Sequence, residues 1–268
     1  MSDVPVFFVL DGNAYFATAT EIVRRLQFVV RKKAIAVGVG YPISEAVFAM
    51  DRRVFDMTPP SKKGLPTWQP RQGHDHGPGN GNGQSEVRYG GAASFQRALV
   101  DDVLPAVSDM MPAIPLASMR KVLFGHSFGG LFTLFSLFTQ PGVFDTYIAA
   151  SPSIWFNDGS IKEQEEEFMA SQLAKNVHPN LYITTGTAEE DLLQKHGDAD
   201  DWFARRREDV KAKRMNKNAA ELADRLRKSG KMEEVSLQIF DLEDHGSSAI
   251  CGLQRGINKA LDEWWVGR

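Results

Sequence analysis

Gly125, Ser127 and Gly129 fall into the spacing G-x-S-x-G within "RKVLFGHSFGGLFTLFSLF" (120 to 138). An apolar strand-like run, "KVLFG", enters this motif and an apolar helix-like run, "LFTLFSLF", leaves it. Turning a strand into a helix within so few residues forces a strained backbone at the serine. Glycines on either side remove the Cβ atoms that would clash in the corner. Ser127 is thereby a candidate nucleophile at the tip of a sharp turn, weighed against a glycine-rich turn with an incidental serine cap. A serine hydroxyl attacks only when a base takes its proton, and the usual base is a histidine held by a carboxylate. Of the six histidines, His126 adjoins the serine, and side chains that follow one another are expected to point apart, so it reads as packing behind the turn. His74 and His76 in "GHDHG" suggest a metal, but no third ligand of matching spacing lies nearby, and no metal site is expected. His178 precedes a proline at a helix-to-strand corner, and His196 lies in a charged stretch.

A scaffold must bring such groups together. Short stretches apolar on consecutive positions occur at 4–10, 33–41, 121–125, 146–151, 180–186 and 234–240, as strands covered on both faces require. Longer segments between them carry helical spacing. In "AYFATATEIVRRLQFVV", Phe16, Ile22, Val23, Leu26, Val29 and Val30 form one stripe; "SFQRALVDDVLPAV" and "INKALDEWW" read as further helices. The alternation predicts a three-layer α/β fold with a mostly parallel central sheet. In α/β hydrolases the nucleophile, acid and histidine follow in that order, with the histidine in a late loop. Only His245, in "DLEDHGSSAI" after the last strand, fits that order. The acid belongs just after "NLYITTG", where Glu189, Glu190 and Asp191 stand together; Glu189 is favoured and Asp191 is next. Asp241 and Asp244 read as turn formers. An oxyanion needs two backbone donors. One expectation is the amide of Phe128; the other comes from "VLDGN" (9–13), with the Asn13 amide preferred and Gly12 next, Asp11 serving the turn.

The chain has 268 residues, 43% hydrophobic and 24% charged, so it can bury one large core. A single domain over 1–268 is expected, with a Gly/Pro-rich flap at about 58–91 and a charged insertion at about 187–234 that holds an amphipathic helix near 217–229. A net charge of -3 argues against nucleic acid as a partner, and no apolar run approaches the roughly 20 residues that span a bilayer. The first residues carry no secretion signal, which makes the cytoplasm the default location. Cys251 is the only cysteine, so an internal disulfide and a multi-cysteine metal site are excluded.

Taken together, "FVLDGNAYF", "VGYP", "RRVFDMTPP", "YGGAASFQRALVDDVLPAV", "GHSFGGLFTLF", "SPSIWF" and "DHGSS" resemble, in order, the esterase D-like group of α/β hydrolases, and within it the siderophore trilactone esterase branch. The resemblance implies a serine ester hydrolase with Ser127 and His245 as nucleophile and base, working without a metal or organic cofactor. It implies an oxyanion hole near Asn13 and Phe128, and places Arg53 and Trp155 close to the substrate. Arg53 can instead pair with Asp56, and Trp155 can be core. The implied substrate is a small-molecule ester, a trilactone or linear hydroxamate or catecholate siderophore, cleaved inside the cell to release iron. A general carboxylesterase or an acyltransferase on small acyl esters or thioesters would use the same machinery. Two departures from the family stand out. Only a few residues precede "FFVLDGN" where relatives carry one or two more strands, so a sheet trimmed of its first N-terminal strands, or a shortened chain, is expected. The acid position is irregular, and some relatives work with a Ser–His pair alone.

Overall fold

A computed structural model describes residues 4–29, 31–44, 46–64, 66, 87–173, 175–194, 196–197 and 199–262. His74, His76 and most of the 58–91 flap therefore lie outside the described residues. In chain order the elements are β1 (Val6–Leu10), α1 (Gly12–Val29), β2 (Ile35–Val39), α2 (Met50–Met57) and α3 (Ala92–Ala98). A π-helical turn (Leu99–Val103) joins α3 to α4 (Leu104–Met110). Pro105 in the first turn of α4 has no amide to donate to the preceding turn, which is where the helix loosens. The chain continues through β3 (Lys121–His126), α5 (Phe128–Thr139), β4 (Thr146–Ala150), the single turn α6 (Phe156–Gly159) and α7 (Ile161–Ala170). It ends with β5 (Asn180–Gly186), α8 (Asp200–Ala212), α9 (Met215–Ser229), β6 (Glu234–Phe240) and α10 (Ser247–Asp262).

All six strands are parallel, in the order β2-β1-β3-β4-β5-β6. Among the described residues no strand precedes β1, and β2 forms one edge. The period-two geometry of a strand divides the core into two layers. Val6, Phe8 and Leu10 face one layer with Val54, Met57, Phe132, Phe168 and Leu222; Phe7 and Val9 face the other with Tyr15, Ile22, Leu26, Leu253 and Ile257. Helices α1 and α10 thus cover one face, and α2, α5, α7 and α9 pack in the layer on the other. Helix α5 is buried from Phe128 to Phe138 and is apolar all round, as a helix enclosed by protein must be.

Parallel strands need a crossover between them, and α9 is the one joining β5 to β6, with Ala219, Leu222, Ala223 and Leu226 buried. About a third of the charged segment 187–234 is therefore a core-layer helix with a solvated outer face. Only α8, with Val210 as its buried residue, stands mostly in solvent. The chain runs β1 to β2 on one side and then returns to β3 on the other side of β1. Such a switch in direction opens a crevice at the carboxyl ends of the strands.

Candidate active site

Ser127 sits where β3 ends and α5 begins, with φ 60° and ψ −114°. A non-glycine residue holds that conformation only when its surroundings impose it. A Cβ at Gly125 would lie 2.1 Å from the carbonyl oxygen of Gly129, so the corner cannot close with any other residue there. The second crowded glycine is Gly130 rather than the expected Gly129. A Cβ on Gly130 would lie 2.8 Å from the Ala150 oxygen, whereas one on Gly129 meets nothing nearer than 3.4 Å.

Ser127 Oγ lies 2.9 Å from Nε2 of His245, and Nδ1 of His245 lies 2.6 Å from Oε2 of Glu189. These side chains stand beyond the carboxyl ends of β3, β6 and β5, and the β5–β6 register pairs Gly186 with Phe240, so the acid and histidine loops start side by side. A Cβ on Gly186 would lie 2.0 Å from the Glu243 oxygen, which explains how closely those loops approach. Of the three adjacent acids only Glu189 reaches the imidazole. Glu190 accepts a hydrogen bond from the Lys217 amide, and Asp191 is exposed. Asp244 caps α10 by accepting from the Gly246 and Ser247 amides, each at 3.0 Å.

The other oxygen of Glu189, Oε1, accepts from Ser151 Oγ at 2.6 Å, the Gly186 amide at 2.8 Å and Ser248 Oγ at 3.0 Å. Glu189 is 3% exposed. Burial alone would push its carboxyl up, but the bonds from His245, Ser151 and Gly186 hold it below the usual glutamate value. A carboxylate fixed on one oxygen by three donors presents the other to the histidine without freedom to turn. Neither Ser151 nor Ser248 was identified from the sequence; a lone serine after a strand carries no pattern that distinguishes it.

Three expectations are corrected by the geometry. His126 does not point away from the site: its ring packs on that of His245, with centroids 4.6 Å apart, and its Nε2 lies 2.8 Å from the His245 carbonyl oxygen. Arg53 does not pair with Asp56. Its Nε and Nη2 donate to the two oxygens of Asp11 at 2.9 and 2.8 Å, and the residues are only 5% and 2% exposed. Its guanidinium also lies over the rings of Phe48 and Phe128, leaving little surface to meet a ligand. Asp11, with φ 51°, therefore does more than serve its turn, being one half of a buried ion pair directly before Gly12. Trp155 is half-buried against the core layer, with the Lys213 ammonium 4.8 Å from its ring centroid.

The amides of Gly12 and Asn13 open α1, and that of Phe128 opens α5, so all three precede the first intrahelical bonds of their helices. Asn13 clamps this corner to the segment after β2. Its Nδ2 donates to the Tyr41 oxygen at 2.9 Å and its Oδ1 accepts from the Tyr41 amide at 2.8 Å. A fourth strand end adds Ser153, whose Oγ lies 3.4 Å from that of Ser127 and whose amide donates to the Ser127 carbonyl. Such an array can deprotonate a hydroxyl, direct it at a carbonyl and hold the resulting oxyanion. Among the described residues no three His, Cys, Asp or Glu side chains are grouped to hold a metal ion, and no helix is long and apolar enough to cross a membrane.

Residues 73–227 match the family described as serine aminopeptidase, S33. Over 254 residues the chain is 37% identical to the siderophore enterobactin esterase of Emericella nidulans, covering 93% of this chain and 80% of that protein. It is 31% identical over 264 residues to the siderophore triacetylfusarinine C esterase of Aspergillus fumigatus, covering 97% and 82%. The structure superposes on the siderophore hydrolase EstA from Aspergillus nidulans with a TM-score of 0.85 at 33% identity, covering 98% of this chain and 84% of that one.

Proposed function

The chain belongs to the siderophore esterases of the α/β-hydrolase fold, and from that premise we propose that it cleaves the ester bonds of siderophores through an acyl-enzyme formed on Ser127. His245 takes the Ser127 proton as the hydroxyl attacks the ester carbonyl. Glu189 holds the ring in the tautomer whose Nε2 is free to accept, and steadies the imidazolium that forms. The oxyanion rests on the Phe128 amide and one of the Asn13 and Gly12 amides, each such donor being worth about 10² to 10³ in rate. His245 then returns the proton to the departing alkoxide, and a water activated by the same ring releases the acyl group. The observation that supports this most is the 2.9 Å approach of Ser127 Oγ to an imidazole whose other nitrogen already faces a fixed carboxylate.

The proposed substrates are trilactone or linear hydroxamate or catecholate siderophores, cleaved in the cytoplasm with release of their iron. Relatives named for enterobactin and for triacetylfusarinine C, at 37% and 31% identity, support that range. Trp155 is proposed to border the bound siderophore. The test is covalent labelling by a fluorophosphonate probe with Ser127→Ala as control, followed by ferric and iron-free trilactones assayed beside short acyl esters and thioesters, with and without an alcohol acceptor. We expect labelling of the wild type alone, a fall in kcat on the order of 10⁶ for Ser127→Ala, and fastest turnover of the trilactones. Normal turnover by Ser127→Ala would overturn the mechanism; preference for a small acetyl or formyl thioester would overturn the substrate.

A further inference from the structure

Glu189 fixes one nitrogen of His245, but a single contact at Nδ1 leaves the ring free to tilt about that bond and the backbone free to rise or sink relative to Ser127. A second set of contacts removes that freedom. His126 is the last residue of β3 and covalently precedes Ser127. Its Nε2 lies 2.8 Å from the His245 carbonyl oxygen, its Nδ1 lies 3.1 Å from the Tyr15 hydroxyl, and its ring packs on the His245 ring with centroids 4.6 Å apart. A carbonyl can only accept, so Nε2 of His126 carries the proton and donates. In the neutral ring Nδ1 must then accept, and Tyr15 is the donor.

The neutral form is the one the surroundings favour. Burial lowers the pKa of His126 well below the ordinary histidine value, and the neighbouring His245 and Arg53 lower it further. Burial likewise pushes Tyr15 up to about 12, so its hydroxyl keeps the proton that it donates. Ser248 is the other side chain near the His245 oxygen, at 3.3 Å, but its single proton has nearer acceptors in Ser151 Oγ at 2.8 Å and Glu189 Oε1 at 3.0 Å. Elsewhere the histidine loop is held by its neighbours: the Leu242 amide donates to Thr187 Oγ1, and the Ala188 amide donates to the Glu243 oxygen. None of these contacts reaches the residue next to the nucleophile.

We infer that Tyr15 and His126 form a polar tie from α1, through the residue beside Ser127, to the main chain of His245, and that His126 is a positioning residue that sets the height and plane of the catalytic imidazole. The tie spans sequence separations of 111 and 119 residues. Tyr15 lies on the helix whose opening amides are those of Gly12 and Asn13, so one chain of contacts joins the oxyanion corner, the nucleophile and the base. The inference rests on reading Ser127 and His245 as the catalytic pair.

The test compares His126→Phe, His126→Gln and Tyr15→Phe with the wild type and Ser127→Ala. It measures the fluorophosphonate labelling rate constant, kcat and KM for p-nitrophenyl butyrate, and melting temperature, with rates normalised to labelled sites so that loss of folded protein does not count. Phenylalanine keeps a ring but removes both hydrogen bonds. We expect the labelling rate and kcat to fall together by about 10²-fold with KM changed by less than about two-fold, as for a reacting group displaced by a fraction of an ångström to one ångström. Glutamine can still donate to the carbonyl and should recover about ten-fold of that loss; Tyr15→Phe should lose about ten-fold. A folded His126→Phe within about three-fold of wild type in both rates overturns the inference. Should His126→Phe fail to fold, Tyr15→Phe decides: a folded protein with rates near wild type overturns the inference, and a matched fall in both rates at constant KM upholds it. Labelling of Ser127→Ala would instead defeat the catalytic reading itself, a result that no outcome with His126 can imitate.

Discussion

Replacing Arg53 by methionine removes the only cation bonded to Asp11 among the described residues while nearly preserving side-chain length. The structure indicates the cost. Both Asp11 oxygens are occupied by Arg53 donors at 2.8 to 2.9 Å, and the carboxylate is 2% exposed, so the variant strands a buried charge. Burial works against the Arg53 cation as well, and Asp11 more than offsets it. Breaking one side of such a pair costs about 3 to 5 kcal/mol. For a chain of this size that is about 6 to 20 °C in Tm. Removing both charges, as Asp11→Asn with Arg53→Met, should restore most of that loss, with a coupling of about 2 to 3 kcal/mol in the double-mutant cycle. Because Asp11 directly precedes Gly12, and its carboxylate lies near Gly129, kcat should also fall by about ten-fold through displacement of the oxyanion corner. The assay is thermal unfolding of the four proteins beside steady-state kinetics on one activated ester. An Arg53→Met protein that melts within about 2 °C of wild type but binds its ester poorly would refute the reasoning. It would put the guanidinium on the ligand instead of on Asp11.

Glu189→Gln should lower kcat by about 10³ to 10⁴ with little change in KM, and retention of a tenth of the activity would mean that Ser127 and His245 suffice as a pair. Gly125→Ala should leave no labelled enzyme, since its Cβ would fall 2.1 Å from the Gly129 oxygen, whereas Gly129→Ala should remain labelled at a cost of about 1 kcal/mol; equal behaviour of the two in a labelling gel would contradict the corner described above. Since His126 is held neutral, only the unfolded chain takes up its proton below about pH 6.5, so this contribution to stability is present above that pH and is lost as the pH falls. Between pH 7 and pH 5 the wild type should lose stability from this source, and heat unfolding of His126→Gln should lack that component.

What could be read in the sequence was whatever local pattern determines. The six apolar stretches became six strands, and the helical spacing of 14–30 became α1, because burial on two faces and burial on one face leave different periods. The buried face of α1 runs through Tyr15, Ala19, Ile22, Val23 and Leu26, whereas Phe16 and Val29 of the expected stripe are exposed. Ser127 stood out because a strand, a turn and a helix compressed into a few residues constrain the backbone whatever surrounds them. Helix α2 left no such mark. Its eight residues mix Asp51, Arg52 and Arg53 with Val54 and Met57, too short a segment for a stripe to declare itself. Helix α8 is polar nearly all round and left no stripe to read, whereas the amphipathic spacing near 217–229 became α9 with its apolar face in the core layer.

The contacts that escaped share a different property: each joins residues brought together by strand order rather than by spacing. The rule that successive side chains diverge puts His126 behind the turn, and that rule holds along a strand. It says nothing about a residue arriving from another strand end, and the His245 loop leaves β6 at the far edge of the sheet, with β4 and β5 between it and β3, and still brings its imidazole to Ser127. The same applies to Arg53, which found Asp11 42 positions away and not Asp56 three positions away. At a three-residue spacing Asp56 was the natural choice on one helix. Burial decided otherwise, because a guanidinium taken out of water gains most from a carboxylate that is equally buried and can receive both of its donors. A buried charge in such a fold is therefore better assigned by asking which strand end lies beneath it than by asking which opposite charge lies nearest in the chain.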